Sequence, residues 1–185
     1  MNQSPASDFL QTATARLLYY KQLAEKTFEQ LDEADFTYSP DPESNSIAVI
    51  IQHMHGNMLS RWTNFLTEDG EKEWRQRDAE FEPGQLGKKD CLKRWEEGWQ
   101  VFLQALKELQ ADDMSKTVTI RNERLTVIDA INRQLAHYPY HIGQIVYLGR
   151  MIKKADWTNL SIPKGRSAAY NQQPGVKDPA KEFRP

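Results

Sequence analysis

Four stretches of the chain repeat apolar residues every three or four positions, the spacing that lines one face of a helix. The first runs from about Asp8 to Leu31 on Phe9, Leu10, Ala13, Leu17, Tyr20, Ala24, Phe28 and Leu31, with Ser7 placed to cap its start. The second, roughly Asn45 to Leu66, follows Ser44 as its cap and carries Ile47, Ile50, Ile51, Met54, Met58, Trp62 and Phe65. The third, about Lys88 to Gln110, carries Leu92, Trp95, Trp99, Phe102, Leu106 and Leu109. The fourth, about Val127 to Lys153, carries Val127, Ile131, Leu135, Tyr138, Ile142 and Ile145. Pro139 inside it removes a hydrogen-bond donor and predicts a local kink.

The segments between these helices are unequal. TEDGEKEWRQRDAEFEPGQLG, between the second and third, is dense in charge and longer than most connections in a compact domain, which makes it functional or loosely ordered. KTVTIRNERLTV alternates β-branched and polar residues around Arg121-Asn122-Glu123 and predicts a small hairpin. Beyond the fourth helix, prolines and glycines recur without periodicity, so the tail is expected to be irregular, packed on the surface or mobile. The expected fold is all-α: a four-helix bundle over residues 1–160, with a short β-hairpin between helices 3 and 4 and an irregular C-terminal tail over 161–185. An antiparallel order is the simplest, and two long connections also allow up-down-down-up.

Composition narrows the function classes. With 24 basic and 26 acidic side chains the formal charge is -2, which argues against nucleic acid as a partner. Cys91 is the only cysteine, so no intrachain disulfide can form, and a lone thiol suits the reducing cytoplasm. Cys91 stands near a helix N-terminus but has no base suggested beside it and is read as inert. The first twenty residues lack the features of a signal peptide, and no apolar run reaches the ~18 residues of a membrane span. A cytoplasmic protein without membrane attachment is expected. Trp62, Trp95 and Trp99 are expected in the core or at a dimer interface.

The candidate chemistry lies in four histidines in two clusters, His53 with His55 and His137 with His141. The i, i+4 spacing of His137 and His141 puts both imidazoles on one side of a helix, one turn apart. They flank the apolar stripe, in a column with Gln134 and Gln144. His53 likewise lies off the stripe of the second helix, near Asn57, and His55 lies at its opposite edge. A third imidazole from another helix would complete a three-nitrogen metal site with a position left open, the arrangement of catalytic rather than closed structural sites. Such ligands suit Zn, Ni, Co or Fe(II). Gln144 and Asn57 stand one turn beyond the candidates and are placed to orient them. Arg61, Arg75 and Arg77 could steer an anionic substrate, although a solvated charge run is the simpler reading of Arg75 and Arg77. No phosphate-cradling glycine loop, H-E-x-x-H or nucleophile elbow is present.

Several motifs carry a resemblance. HYPYHIGQIVYLGR resembles the last-helix signature of the DinB-like (YfiT-like) superfamily, H-x-x-x-H followed by a Gly-Gln pair. IIQHMHGNMLSRWTNFLTEDGEKEWRQRDAEF resembles the H-x-x-G-N helix and D-G-E-K loop of one branch of it, and SIPKGRS is similar to that branch's C-terminal pattern. The likeness spans roughly Ser44 to Asn171. It implies a four-helix bundle, commonly a homodimer, with a divalent metal held by His53, His137 and His141. His55 falls on a variable position and is left as a non-ligand, the substitute if His53 points away from the bundle centre. The resemblance further implies transfer of a low-molecular-weight thiol to an electrophilic substrate, or metal-assisted hydrolysis. The competing expectation is a non-catalytic, stress-associated metal-binding scaffold.

Overall fold

The computed structural model describes residues 4–184 apart from Pro83, Gln85 and Val176. Helix α1 spans Pro5–Phe28. Its cap is Ser4, not Ser7: the Ser4 hydroxyl accepts the Ser7 N–H at 3.2 Å, and Pro5 fills the first turn, where its missing N–H is not needed. Helix α2 spans Ile47–Trp62 and is capped by Ser46, whose hydroxyl accepts the Val49 N–H at 3.3 Å. Ser44, the expected cap, instead donates to the Asp41 carboxylate at 2.6 Å in the preceding turn. Helix α3 spans Lys88–Glu108, strands β1 and β2 are Thr117–Ile120 and Glu123–Thr126, and helix α4 spans Val127–Lys153. Helix α4 is continuous through Pro139. The tail contains a short helix α5, Ser167–Gln172, and a 3₁₀ turn at Pro179–Phe183 that packs on α1, with Arg16 3.4 Å from Asp178. Among the described residues no helix is long and apolar enough to cross a membrane.

Side-chain pairings fix the helix directions. Arg94 bonds Gln52 at 3.0 Å, Glu97 meets His55 at 3.2 Å, and Phe102 packs on Trp62, so α2 and α3 run parallel. Going along α2, Ile50 borders the same pocket as Leu148, His53 packs on His141 and Trp62 bonds Tyr138, so α2 and α4 are antiparallel. Thr27 packs on Gly149 and Asp32 pairs with Lys153, so α1 is parallel to α4. The order is up-down-down-up, and the all-antiparallel alternative is excluded. Parallel neighbours need a connection that returns the whole length of α2, ~24 Å at 1.5 Å per residue. The charged connection between α2 and α3 is long because it makes that return.

The core is where the four stripes meet. Leu17, Ile47, Ile51, Met54, Trp99, Phe102, Ile131 and Tyr138 are fully buried, each contributing ~1.5–3 kcal/mol of burial. Trp62, Trp95 and Trp99 are all core residues. The buried Tyr138 hydroxyl accepts from the Trp62 indole at 3.0 Å and donates to the Asn57 side-chain oxygen at 3.2 Å. Asn57 is therefore spent on satisfying the core and does not orient a histidine. A Cβ on Gly98 would lie 3.1 Å from Met58 Sδ, so the α2–α3 contact is as close as a glycine allows.

The hairpin pairs Thr117 with Thr126 and Ile120 with Glu123, leaving Arg121 and Asn122 as a two-residue turn with φ of 58° and 62°. That left-handed conformation suits Asn and costs about 1–2 kcal/mol at Arg. Asp69 of the α2–α3 connection offsets it: its carboxylate accepts the backbone N–H groups of both Arg121 and Asn122 at 2.8 Å. Partial burial pushes the Asp69 carboxyl up, but bonds from the Glu71, Asn122 and Arg121 amides outweigh it and hold the group at about 2. Gly70 N–H donates to the Thr119 carbonyl at 2.8 Å, so the connection and the hairpin are clamped together. Asp69→Ala is expected to lower stability in urea unfolding by about 1–3 kcal/mol at neutral pH. Because the folded carboxyl titrates below its ordinary 3.8, the difference between wild type and variant should be complete above that value and fade as pH falls toward about 2.

Candidate metal centre

The antiparallel crossing of α2 and α4 brings His53 against His137 and His141. His53 Nε2 lies 3.3 Å from His137 Nε2, which lies 3.0 Å from His141 Nε2. One nitrogen from each of the three falls within 4.8 Å of the others. Two nitrogens bound to one tetrahedral ion at ~2.05 Å stand about 3.3 Å apart, so the spacing matches what a cation would impose. His53 and His141 are buried and His137 is half-buried.

The protons on these rings are set by what lies behind them. His53 Nδ1 faces Glu80 Oε2 at 2.9 Å, and His141 Nδ1 faces Gln144 Oε1 at 3.0 Å. Both partners are acceptors, which places the protons on Nδ1 and leaves the Nε2 lone pairs free. Acceptors turned toward one point repel unless a proton or a cation lies between them. Burial, then the neighbouring His141 and His53, pull His137 down to about 3, and burial likewise lowers His141, so neither ring takes up a second proton near neutral pH. The donor set therefore fits a divalent cation, held by neutral imidazoles with a carboxylate and an amide fixing their orientation.

Glu80 was not foreseen from the sequence. It is buried, and Arg75 grips it with two bonds, Nε to Oε1 at 2.7 Å and Nη2 to Oε2 at 2.9 Å. Burial raises the Glu80 carboxyl, but the bonds from Arg75 and His53 outweigh it and keep the group ionised below its ordinary value. Arg75 thus departs from the solvated expectation; it is a buried partner that orients the residue behind His53. Phe81 follows Glu80 and stacks on the His53 ring, centroids 4.6 Å apart. Gly56 makes the arrangement sterically possible, because a Cβ there would stand 2.8 Å from the Glu80 carboxyl carbon.

His55 does not join the cluster. It faces α3, where its Nε2 meets Glu97 at 3.2 Å, so no substitution for His53 is needed. Cys91 is buried, and desolvation pushes its thiol up to about 11, which agrees with an inert thiol. Above the histidines opens a cavity of about 610 Å³ that all three border, with Arg61, Arg77 and Phe81 also on its walls. Sequence signals for Glu80 and Arg75 were weak, since both lie in an aperiodic, charge-rich stretch. The cue was a pair of aromatics, Trp74 and Phe81, inside that polar run.

Removing the carboxylate should loosen the imidazole. Glu80→Gln is expected to retain the helical circular dichroism and weaken zinc uptake about 10–100-fold, measured by competition with a chromophoric chelator. Gly56→Ala, which displaces Glu80 without deleting it, should act in the same direction. Equal zinc affinity in both variants would mean that Glu80 does not tune the site.

No curated protein matches the chain. The family described as "Protein of unknown function (DUF1572)" matches residues 4–166, most of the length, and the chain belongs to that family.

Proposed function

We propose that the protein is a divalent-metal-dependent enzyme of the DinB-like superfamily, a transferase that joins a low-molecular-weight thiol to a small electrophile. The observation that carries this reading is the convergence of three Nε2 atoms with a buried carboxylate behind one of them, beneath a cavity that admits a small molecule. A cation bound there (zinc, nickel, cobalt or iron(II)) supplies Lewis acidity that makes a thiol or a water nucleophilic near neutral pH. The chain does the rest. His53, His137 and His141 present their Nε2 atoms, Glu80 accepts at His53 Nδ1 and Gln144 at His141 Nδ1, and Arg75 keeps Glu80 ionised. Phe81 covers one face of His53 and keeps water from its ring.

The open cavity favours an enzyme over a structural metal site, which is closed by its own ligands. Hydrolysis is the second enzymatic reading on the same residues. A homodimer and a cytoplasmic setting belong to the same proposal, and the single buried thiol is in keeping with the latter.

Alanine at His137 or at His141 is expected to abolish stoichiometric metal uptake, measured by elemental analysis of untagged protein, with helical circular dichroism unchanged. Metal-loaded wild type should consume candidate thiols in the presence of an electrophile, and neither variant should. Full metal occupancy surviving both changes would refute the site. Turnover that needs no thiol would move the assignment to hydrolysis, and a loaded protein inert to both reactions would leave the scaffold.

A further inference from the structure

The walls of the cavity above the histidines are more basic than the rest of the molecule. Five arginines border it, Arg61, Arg75, Arg77, Arg121 and Arg133, and among its described lining residues there is no aspartate or glutamate. The chain as a whole carries a formal charge of -2, so this is local concentration rather than general basicity. Two of the five are committed inward. Arg75 is buried on Glu80, and Arg61 is buried on Glu71 at 2.8 Å and on the Gly70 carbonyl.

The other three stand half-exposed at the rim, Arg77 over the Phe81 ring at 5.1 Å and Arg121 hydrogen-bonded through Nε to Glu71. Arg77 comes from the α2–α3 connection, Arg121 from the hairpin turn and Arg133 from α4, one turn before His137 and in the same column. Their side chains are 49%, 56% and 44% exposed. Arg77 and Arg133 reach a carboxylate only at 3.9 Å, while Arg121 meets Glu71 at 3.1 Å. Three separate elements thus deliver one arginine each to a single opening. A guanidinium presents a planar fork of N–H donors that matches the oxygens of a carboxylate or a phosphate. The same cavity is also lined by Phe81, Ala136 and Tyr140, which give its wall an apolar part.

We infer that the cavity binds a small organic anion, its carboxylate or phosphate held by Arg77, Arg121 and Arg133 and its apolar part lying along Phe81, Ala136 and Tyr140 toward the three histidines. What becomes of the bound anion rests on the metal-dependent reading above; its capture does not. The low-dielectric walls strengthen the attraction over its value in open water, and part of it is screened by salt because the rim is half-exposed.

Titration calorimetry on the metal-free full chain tests this with benzoate, phenyl phosphate and, as the neutral counterpart, benzyl alcohol. At least one of the two anions should bind at one per chain and about tenfold or more tighter than benzyl alcohol, and the tighter anion names the headgroup. Arg77→Gln with Arg133→Gln should weaken that binding about tenfold, while zinc uptake by the same variant stays at the wild-type level. Benzyl alcohol binding as tightly as the tighter of the two anions, or the double variant binding that anion as well as wild type, would overturn the inference. Lost zinc uptake in His137→Ala with anion binding intact keeps the anion site apart from the metal reading. Intact zinc uptake with no anion binding sinks the anion site alone.

Discussion

Glu80 is a buried carboxylate with two obligations, one to Arg75 on its own segment and one to His53 on α2. Burying such a charge is tolerated only when its oxygens are bonded, and removing one partner of a buried pair costs about 3–5 kcal/mol. Here both oxygens are engaged, and the carboxylate lies against a position without a side chain, Gly56. The connection between α2 and α3 is fastened to the bundle at this point, so the same contact that anchors an otherwise aperiodic segment also selects the tautomer of a histidine. Structure and chemistry share one carboxylate.

The topology explains why that contact exists. Parallel α2 and α3 oblige the chain to travel back along the bundle, and the return passes over the crossing of α2 and α4 where the histidines meet. An up-down-up-down bundle with short turns would have no segment there to supply Arg75, Glu80 and Phe81. The site is the product of two long-range pairings: α2 with α4 for the imidazoles, and the crossover with α2 for what lies behind them.

Much of this was legible in the sequence, for identifiable reasons. The helices follow from the 3.6-residue recurrence of large apolar residues, and burial of Ile47, Met54, Trp99 and Ile131 is what that recurrence encodes. His137 and His141 were legible as a pair because they repeat at one turn, whereas the choice of His53 over His55 as their partner came from the resemblance of the H-x-x-G-N motif, since a flank position on another helix does not show that the rings meet. Caps were misplaced by two or three residues because several serines compete near each start, and Ser44 is taken by Asp41. Helix order could not be read from periodicity, which is blind to direction; only the length of the crossover hinted at it. Arg75 and Glu80 were hidden because charged residues in a polar stretch look solvated until a fold buries them together. Asn57 was misassigned because a one-turn offset is shared by the histidine column and by Tyr138, and the tyrosine hydroxyl claims it.

The Asp69 clamp carries a consequence for motion. The turn at Arg121-Asn122 holds a left-handed geometry that its own strands do not supply, and the anchoring oxygens come from another part of the chain. Hairpin and crossover are for that reason a single cooperative unit: neither can detach while the other keeps its native shape. That unit holds Arg77 and Arg121 at one side of the opening and, through Glu80, the back of His53. Loss of the Asp69 contacts would therefore disturb the hairpin wall and the crossover wall of the chamber together.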